Sequence, residues 1–417
     1  MNLLINANSL HIPLTDQSVH CVVTSPPYYG LRDYGVPGQL GLEPTPDEYI
    51  HTMVQVFREV WRVLRDDGTL WLNIGDSYAG SGKGGQSEDK RSANWQPNYP
   101  KGQKFNDIKP KDMIGIPWML AFALRSDGWY LRQDIIWHKP NPMPESAGDR
   151  CTKAHEYIFL LTKKARYFYD QEAVLEPASE NTHLRVSQDI ASQAGSLRAY
   201  GGKKANGPMK VAIRTPKQTS RGSVIRNNKS FDESVMLPVI KRNKRSVWTV
   251  TTKPYSGAHY AVFPPDLIEP GILAGTSEKG VCPGCGAPWE RLIKGGFVDH
   301  NGKTKTSYED GSNAGRLALL RQASREIGKE YYCNNTTTGW QPTCDCGIKE
   351  TVPAVVLDPF AGSGTTLMVA RKHGRNGVGI DLSFDYLNTN ARERLVYGGF
   401  VPIADGIQQL TIEGIEK

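Results

Sequence analysis

The sequence predicts an α/β protein with an open sheet, because three apolar runs each end in a turn that carries polar groups or glycines. The runs are residues 19–23, 355–357 and 377–380, and each is rich in β-branched or other apolar residues. Such short apolar runs bounded by turn residues are typical of buried strands. Open α/β sheets bind their ligands at the carboxyl ends of strands, so the three turns predict the position of the functional site.

The first of these turns is Ser25-Pro26-Pro27-Tyr28, which follows Thr24. Proline fixes φ and cannot donate a ladder hydrogen bond, so two prolines end the strand at once. The turn therefore presents a small hydroxyl, backbone carbonyls and an aromatic ring. Taken alone, it is also compatible with an ordinary turn after a strand.

The second turn, residues 358–365, begins with Asp-Pro-Phe, continues through a glycine loop and enters a helical pattern. Glycines let a backbone approach a ligand closely, and a helix start offers N–H groups. A P-loop would need Lys where Thr365 stands, and the spacing of dinucleotide-binding loops is absent. The third run ends at Asp381, 23 positions past Asp358, which is the spacing of one βαβ unit. An acid at that place accepts ribose hydroxyls in dinucleotide folds.

Together the first two turns resemble the DNA amino-methyltransferases that use S-adenosylmethionine. That family has an (S/T/D)-Pro-Pro-Tyr catalytic turn and an Asp-Pro-Phe-x-Gly-Ser-Gly-Thr-Thr cofactor loop. Here the catalytic turn comes first, which is the circularly permuted motif order of the family's β group. The resemblance covers most of the chain except roughly residues 180–245 and 281–352, and it implies a Rossmann-like methyltransferase sheet.

The resemblance also implies the roles of individual residues. The catalytic residues are Ser25, Pro26, Pro27 and Tyr28. A segment from His259 to Phe263 is similar to the one that precedes the family's cofactor loop, although Tyr260 departs from the usual Pro. The cofactor-binding residues expected from these similarities are Thr24, His259, Phe263, Asp358, Phe360, Gly362, Ser363, Gly364, Thr365 and Asp381.

The residue at position 25 bears on the base that is modified. Adenine-N6 enzymes of the family usually carry Asp there, and cytosine-N4 enzymes usually carry Ser, as this chain does. We therefore expect methylation of the exocyclic N4 of a flipped cytosine, with adenine N6 as the alternative. Two further hypotheses are methylation of RNA or of protein glutamine, and a zinc-ribbon DNA-binding protein whose enzymatic domain has decayed.

Charge along the chain points to a nucleic-acid partner. The net charge is +7, but residues 181–255 hold 15 Lys and Arg against 3 Asp and Glu. A basic block on a mildly acidic body suggests a polyanion, here double-stranded DNA. The sequence shows neither a membrane span nor a signal segment, which favours the cytoplasm of a prokaryote or a phage-encoded protein. Further candidate partners are a separately encoded restriction endonuclease and a second copy of the chain in a homodimer.

Seven cysteines without a signal segment argue for thiols or a metal site rather than disulfides. Two close pairs, C-x-x-C and C-x-C, begin and end an insert of about seventy residues. Such knuckles can place thiolates around Zn²⁺, so we expect structural zinc. Reduced structural thiols are the alternative, and Cys333 is a candidate substitute ligand. The expected ligands are Cys282, Cys285, Cys344 and Cys346.

We expect four regions in the chain. Residues 1–175 form the catalytic half, 176–250 a basic target-recognition region, 251–280 with 353–417 the cofactor half, and 281–352 a zinc-ribbon-like insert. The stretch 79–105 is expected to be a mobile loop, either disordered or a lid. Further predicted elements are helices over 46–64 and 116–124, a turn at 66–68, strands over 69–74 and 129–137, and a hairpin of 157–161 with 167–169.

Overall fold

The computed structural model describes residues 2–79, 108–145, 147–177, 241–253, 262–298, 332–397 and 407–408. In chain order their elements are β1 (Asn2–Asn6), β2 (Val19–Thr24), α1 (Pro46–Val63), β3 (Leu64–Ile74), α2 (Ile116–Ser126), β4 (Tyr130–His138), β5 (His155–Thr162), β6 (Glu176–Pro177), β7 (Lys241–Arg242), β8 (Val247–Thr249), α3 (Pro265–Gly275), β9 (Trp289–Val298), β10 (Tyr332–Pro342), β11 (Val355–Asp358), α4 (Thr365–Lys372), β12 (Asn376–Asp381), α5 (Arg392–Tyr397) and β13 (Ile407–Gln408). A 3₁₀ turn at Glu172–Val174 and a π-helical segment at Tyr386–Ala391 complete them.

A nine-stranded sheet organises the described residues, in the order β13-β1-β12-β11-β2-β3-β5-β4-β8. The strands from β13 to β3 are parallel, whereas β5 runs antiparallel to both β3 and β4. The parallel neighbours β12, β11, β2 and β3 therefore end at one edge, where the three predicted turns lie. The predicted α/β class is confirmed.

Helices cover both faces of this sheet, because successive strand residues point to opposite sides. On β2, Val22 packs in a core cluster with α1 and α2, whereas Cys21 and Val23 pack in another with α3 and α4. Both clusters are buried, so the strand reads as a continuous apolar run. Thr45 caps α1, since its Oγ1 accepts a hydrogen bond from the Glu48 N–H at 3.2 Å.

The prediction of a turn at residues 66–68 is wrong, because β3 runs from Leu64 through this stretch. Gly68 allows the close approach that this requires, since a Cβ there would lie 2.9 Å from the His20 carbonyl oxygen. The Asp66 carboxylate, the cause of the turn prediction, is paired with Lys163 at 3.0 Å. The polar pattern therefore reflects an ion pair at a bulged part of the strand.

The predicted hairpin of 157–161 with 167–169 is also wrong. The first segment lies in β5, which pairs with β3 and β4, and residues 167–169 form no strand. Their aromatic character has another origin, because Tyr169 stacks on Trp71 with ring centroids 6.5 Å apart. The Phe168 N–H donates to the Asp67 carbonyl at 2.9 Å, which holds the segment against β3.

The chain divides into two compact units. The first comprises residues 1–174, 245–290 and 341–417, and it contains the nine-stranded sheet. The second comprises residues 175–244 and 291–340, and in it β6 pairs antiparallel with β7. Strands β9 and β10 form a separate two-stranded sheet. Within the residues that are described, no helix is long and apolar enough to cross a membrane.

Several predicted features lie outside the described residues. These are nearly all of the 79–105 loop, residues 178–240 of the basic region, residues 299–331 of the insert, and His259.

Candidate active site

A cavity of about 910 Å³ opens at the carboxyl edge of the parallel strands, within the first unit. Both turns predicted from the sequence line it, although they are more than three hundred residues apart in the chain. Of the predicted residues, those on the cavity wall are Ser25, Pro26, Pro27, Tyr28, Phe263, Asp358, Phe360, Gly362, Ser363, Thr365 and Asp381. The fold thus brings the two motifs into one site.

The Pro-Pro turn is held from behind by α1. The Tyr49 hydroxyl, on a buried side chain, donates to the Pro27 carbonyl oxygen at 2.8 Å. Burial raises the pKa of Tyr49, so this hydroxyl stays protonated and keeps donating. The anchored carbonyl belongs to the second proline, while Ser25 and Pro26 line the cavity.

Tyr28 is positioned by a charged pair that the sequence analysis missed. Its hydroxyl donates to Glu156 Oε2 at 2.6 Å, and Lys139 Nζ forms an ion pair with Glu156 Oε1. Burial and the Glu156 carboxylate raise the pKa of Tyr28, which keeps the hydroxyl protonated. Asn73 Nδ2 also donates to Glu156 Oε2, at 3.3 Å. The sequence offered one indication of this pair, because an acidic residue stands near the start of the otherwise apolar strand β5.

Gly75, directly after β3, makes room for the Tyr28 ring. A Cβ at this position would lie 2.6 Å from Tyr28 Cε2. The next residue, Asp76, lines the cavity and caps α2, because its Oδ1 accepts from the Gly115 and Ile116 N–H groups at 3.0 and 3.1 Å. Asp76 therefore has a structural role at the start of α2 as well as a place on the cavity wall.

Asp358 is a fully buried carboxylate with three hydrogen bonds. Thr24 Oγ1 donates to its Oδ1 at 2.7 Å, Thr366 Oγ1 to its Oδ2 at 2.6 Å, and the Phe360 N–H to Oδ1 at 3.0 Å. Burial raises the pKa of Asp358 to about 6, and the hydroxyl donors oppose that rise. Thr24, predicted to bind the cofactor, is buried and not on the cavity wall, so it contacts Asp358 instead.

The glycine loop turns sharply into α4. Gly362 and Gly364 have φ values of +49° and +74°, in the region that favours glycine. Arg394 donates to Ser363 Oγ at 2.8 Å and to Thr365 Oγ1 at 2.6 Å. The two loop hydroxyls are therefore fixed by a guanidinium from α5, which the sequence analysis did not identify.

Asp381 ends β12 on the cavity wall. Its two carboxylate oxygens accept from the Gly362 and Ser383 N–H groups, each at 2.9 Å. Burial raises the pKa of Asp381. Tyr34 and Tyr386 line the same end of the cavity, with their rings edge to face at 6.4 Å between centroids. The sequence analysis missed both tyrosines, since neither stands in a recognisable pattern.

The four predicted zinc ligands come together away from this cavity. The sulfur atoms of Cys282, Cys285, Cys344 and Cys346 all lie within 4.8 Å of one another. Backbone N–H groups of Cys285 and Gly284 lower the pKa of the Cys282 thiol, which favours its thiolate. Nothing is described of the Cys333 side chain.

The first knuckle of this cysteine cluster is fixed to the central sheet. Arg65 on β3 donates to the Cys285 carbonyl at 2.7 Å. His20 on β2 bonds through Nε2 to the Gly286 carbonyl at 3.0 Å, and its Nδ1 accepts from the Val355 N–H at 3.0 Å. Burial is the main cause of the lowered pKa of His20, about 4, so the ring is neutral near pH 7.

Comparison with known proteins shows the family of the chain. The family model described as DNA methylase, for N6 and N4 methyltransferases, matches residues 19–282 and 350–392. The chain belongs to this family, the DNA amino-methyltransferases that use S-adenosylmethionine. Within it, the relatives with high sequence identity include type II methyltransferases, which belong to restriction-modification systems.

Two such relatives span much of the chain. M.SmaI of Serratia marcescens is 35% identical over 387 residues, which are 92% of this chain and 86% of that protein. M.XycI of Xanthomonas campestris pv. cyanopsidis is 44% identical over 267 residues, 63% of this chain and 68% of that protein. Among solved structures, the cytosine-N4-specific PvuII DNA methyltransferase matches with a TM-score of 0.46 at 13% identity, over 94% of this chain and 85% of that one.

Proposed function

We propose that this DNA methyltransferase modifies the exocyclic N4 of cytosine in a base flipped out of double-stranded DNA. The observation that carries the proposal is Ser25, a neutral hydroxyl on the cavity wall at the start of the Pro-Pro turn. Adenine N6 is the second candidate, since a serine hydroxyl also accepts a hydrogen bond from that amino group.

An exocyclic amino group is a weak nucleophile because its lone pair is conjugated with the ring. Ser25 Oγ and the Pro26 carbonyl would accept its two hydrogens, which turns the lone pair out of the ring plane. The Tyr28 ring would stack on the base, and Glu156 fixes the orientation of that ring through the hydroxyl. The base cannot reach these groups inside a duplex, and flipping costs a few kcal/mol.

The other end of the cavity fits S-adenosylmethionine. An ionised carboxylate offers about four acceptor positions, and backbone N–H groups of Gly362, Leu382 and Ser383 interact with that of Asp381. The remaining acceptor capacity suits a ribose hydroxyl, and the rings of Tyr34 and Tyr386 suit an adenine. Phe263, Phe360 and the glycine loop would line the rest, while Asp358 holds the loop in shape. The bound cofactor supplies a methyl on a sulfonium, an excellent leaving group.

Binding of DNA is assigned to the basic region, residues 176–250. Of its cations, Lys241, Arg242, Lys244 and Arg245 are within the described residues, and Arg242 pairs with Glu176 at 2.9 Å. We assign phosphate contacts to this group because electrostatic contacts with phosphates supply much of DNA affinity. The further partners that we propose are a separately encoded restriction endonuclease and a second copy of the chain.

We also propose a structural Zn²⁺ at the four clustered cysteines. Four thiolates at mutual distances within 4.8 Å suit tetrahedral coordination at about 2.3 Å per Zn–S bond. A closed set of four protein ligands leaves no position for substrate, which is typical of structural rather than catalytic zinc. The metal would cross-link the C-x-x-C and C-x-C pairs that begin and end the insert.

The test of the main proposal is nucleoside mass spectrometry. Purified protein is incubated with duplex DNA and S-adenosylmethionine, and the DNA is digested and analysed for both methylated bases. We expect N4-methylcytosine, and we expect Ser25→Ala to lower its formation by about tenfold or more, the cost of one lost hydrogen bond. N6-methyladenine alone would overturn the base assignment.

If wild-type protein produced neither methylated base, the result would favour a DNA-binding protein without activity. Calorimetry would then test whether the protein binds S-adenosylmethionine. RNA and peptide acceptors serve as controls for methylation of RNA or of protein glutamine.

A further inference from the structure

Met143 is an apolar side chain in an unusual place. It is 86% exposed, the highest value among the large hydrophobic side chains that the structure describes as exposed. It nevertheless lines the cavity that contains Ser25 and Tyr28. An exposed methionine contributes no free energy of burial to the fold. At the mouth of the site its side chain can instead be buried against a bound ligand.

The segment that carries Met143 is stiff. Pro142 and Pro144 flank it, and each fixes its own φ. On one side Asn141 and Thr252 are joined by two hydrogen bonds, from Asn141 Nδ2 to the Thr252 carbonyl at 3.2 Å and from the Thr252 N–H to Asn141 Oδ1 at 3.0 Å. The side chain is thus presented to solvent on a constrained turn.

The other side of the segment is fixed as well. Glu145 Oε1 accepts from the Lys153 N–H at 3.1 Å, and its other oxygen pairs with Arg150. The Arg150 guanidinium in turn lies 3.9 Å above the Tyr78 ring centroid. Because both ends of the segment are fixed by contacts within the protein, its conformation does not depend on a bound ligand.

We propose that Met143 inserts into the DNA base stack at the position that the target base leaves. The proposal rests on base flipping in the proposed function. Flipping costs a few kcal/mol because stacking and pairing are lost. Methionine and proline are among the apolar side chains that wedge between base steps in other DNA-binding proteins. A long, flexible and polarizable side chain fills an irregular gap well.

The wedge should matter only where a base pair must be opened. We therefore compare two duplexes, after the modified sequence has been read from DNA of cells that express the protein. One has the target base in its normal pair, and the other has an abasic position opposite the target, which removes the pairing cost. The variants are Met143→Ala and Met143→Leu, with Met113→Ala as the matched control, because Met113 is 55% exposed but does not line the cavity.

For Met143→Ala we expect kcat/KM to fall by about tenfold on the paired duplex and to stay within about twofold of wild type on the abasic one. Met143→Leu and Met113→Ala should remain near wild type on both. An equal loss of Met143→Ala on the two duplexes, or no loss, would overturn the wedge.

Base flipping is checked separately with 2-aminopurine at the target position, whose fluorescence should rise when wild-type protein binds. A rise with wild type that persists in full with Met143→Ala would overturn the wedge alone. No rise with wild type would overturn flipping itself, and the inference with it.

Discussion

Thr24 and Asp358 are joined by a hydrogen bond of 2.7 Å between side chains that are both almost completely buried. Thr24 ends the strand before the catalytic turn, and Asp358 ends the strand before the glycine loop. The bond therefore ties the two functional halves of the site at their base. Because a buried carboxylate without its donor costs free energy, this hydrogen bond has a measurable consequence.

The first prediction concerns this bond. Thr24→Val keeps the shape and removes the donor, so we expect the free energy of unfolding to fall by about 1–3 kcal/mol. Thr24→Ser keeps the hydroxyl and serves as control, with a smaller loss. Urea unfolding measures both, and equal values for the two variants would show that the hydroxyl contributes nothing.

The second prediction concerns pH. The pKa of Asp358 is raised to about 6, above its usual value of about 3.9. Between these values the folded state binds a proton that the unfolded state does not, so stability rises as pH falls through 6. The contribution of this group to the free energy of unfolding is almost absent at pH 7.5 and is on the order of 1 kcal/mol at pH 5.

Urea unfolding of wild type and Asp358→Asn at these two pH values tests this. The difference between them should shift in favour of wild type at pH 5 by that amount. Asp149→Asn is the control, because Lys111 lowers the pKa of Asp149. The advantage of wild type over this variant in the free energy of unfolding should therefore not increase at pH 5. A wild-type advantage that shrinks at pH 5 would contradict the prediction.

The third prediction concerns Tyr28 and Glu156. If Glu156 acts by holding the Tyr28 hydroxyl, Tyr28→Phe and Glu156→Gln should each lower kcat, by about tenfold, the equivalent of about 1.4 kcal/mol. The double variant should then be little worse than the more affected single variant, since Glu156→Gln removes the charge from the acceptor of the same hydrogen bond that Tyr28→Phe deletes. Methylation rates at saturating substrate measure this. Additive losses would mean that Glu156 acts independently of the tyrosine.

The fourth prediction concerns zinc. Wild-type protein should contain about one Zn²⁺ per chain, and Cys282→Ser should lower both the metal content and the unfolding temperature, because structural zinc contributes folding energy. Elemental analysis and thermal unfolding measure the two effects. Cys151→Ser is the control, since Cys151 is an exposed thiol outside the cluster. Purified wild type without zinc would refute the site.

The fifth prediction concerns the basic segment. Neutralising Lys241, Arg242, Lys244 and Arg245 should weaken DNA binding and flatten the plot of log K against log salt, by about 0.9 for each phosphate that the protein no longer neutralises. Arg58→Gln is the control, since Arg58 lies on α1, outside the basic region, and pairs with Asp127 at 2.6 Å. An unchanged slope would exclude these four residues from phosphate binding.

The sequence predicted those parts of the site that short motifs specify. The Pro-Pro turn and the glycine loop were identifiable because proline and glycine restrict or free the backbone locally. The partner of Tyr28 was not, because Glu156 reaches it only through the pairing of β3 with β5, which is set by tertiary packing. Arg394 could not be identified from the sequence for the same reason, since its hydrogen bond to Ser363 depends on how α5 packs.

Two wrong predictions about the fold have a common cause. Residues 66–68 read as a turn and residues 167–169 as a strand because local composition was judged without neighbours. In the folded chain Lys163 neutralises Asp66, and Trp71 supplies a stacking partner for Tyr169. The conformations of the polar segment at the strand bulge and of the aromatic segment in the loop are therefore both determined by long-range contacts.

The order of strands has a consequence for how the protein is made. The described partners of β1, strands β12 and β13, both come from residues 376–408, whereas β2 has an early partner in β3 and only its other edge pairs with the late strand β11. Contacts so far apart in sequence form slowly, and exposed strand edges invite association with other chains meanwhile. We therefore expect β2, β3, β5 and β4 to pair first, and β1 to join the sheet only after the late strands β11 and β12 have left the ribosome.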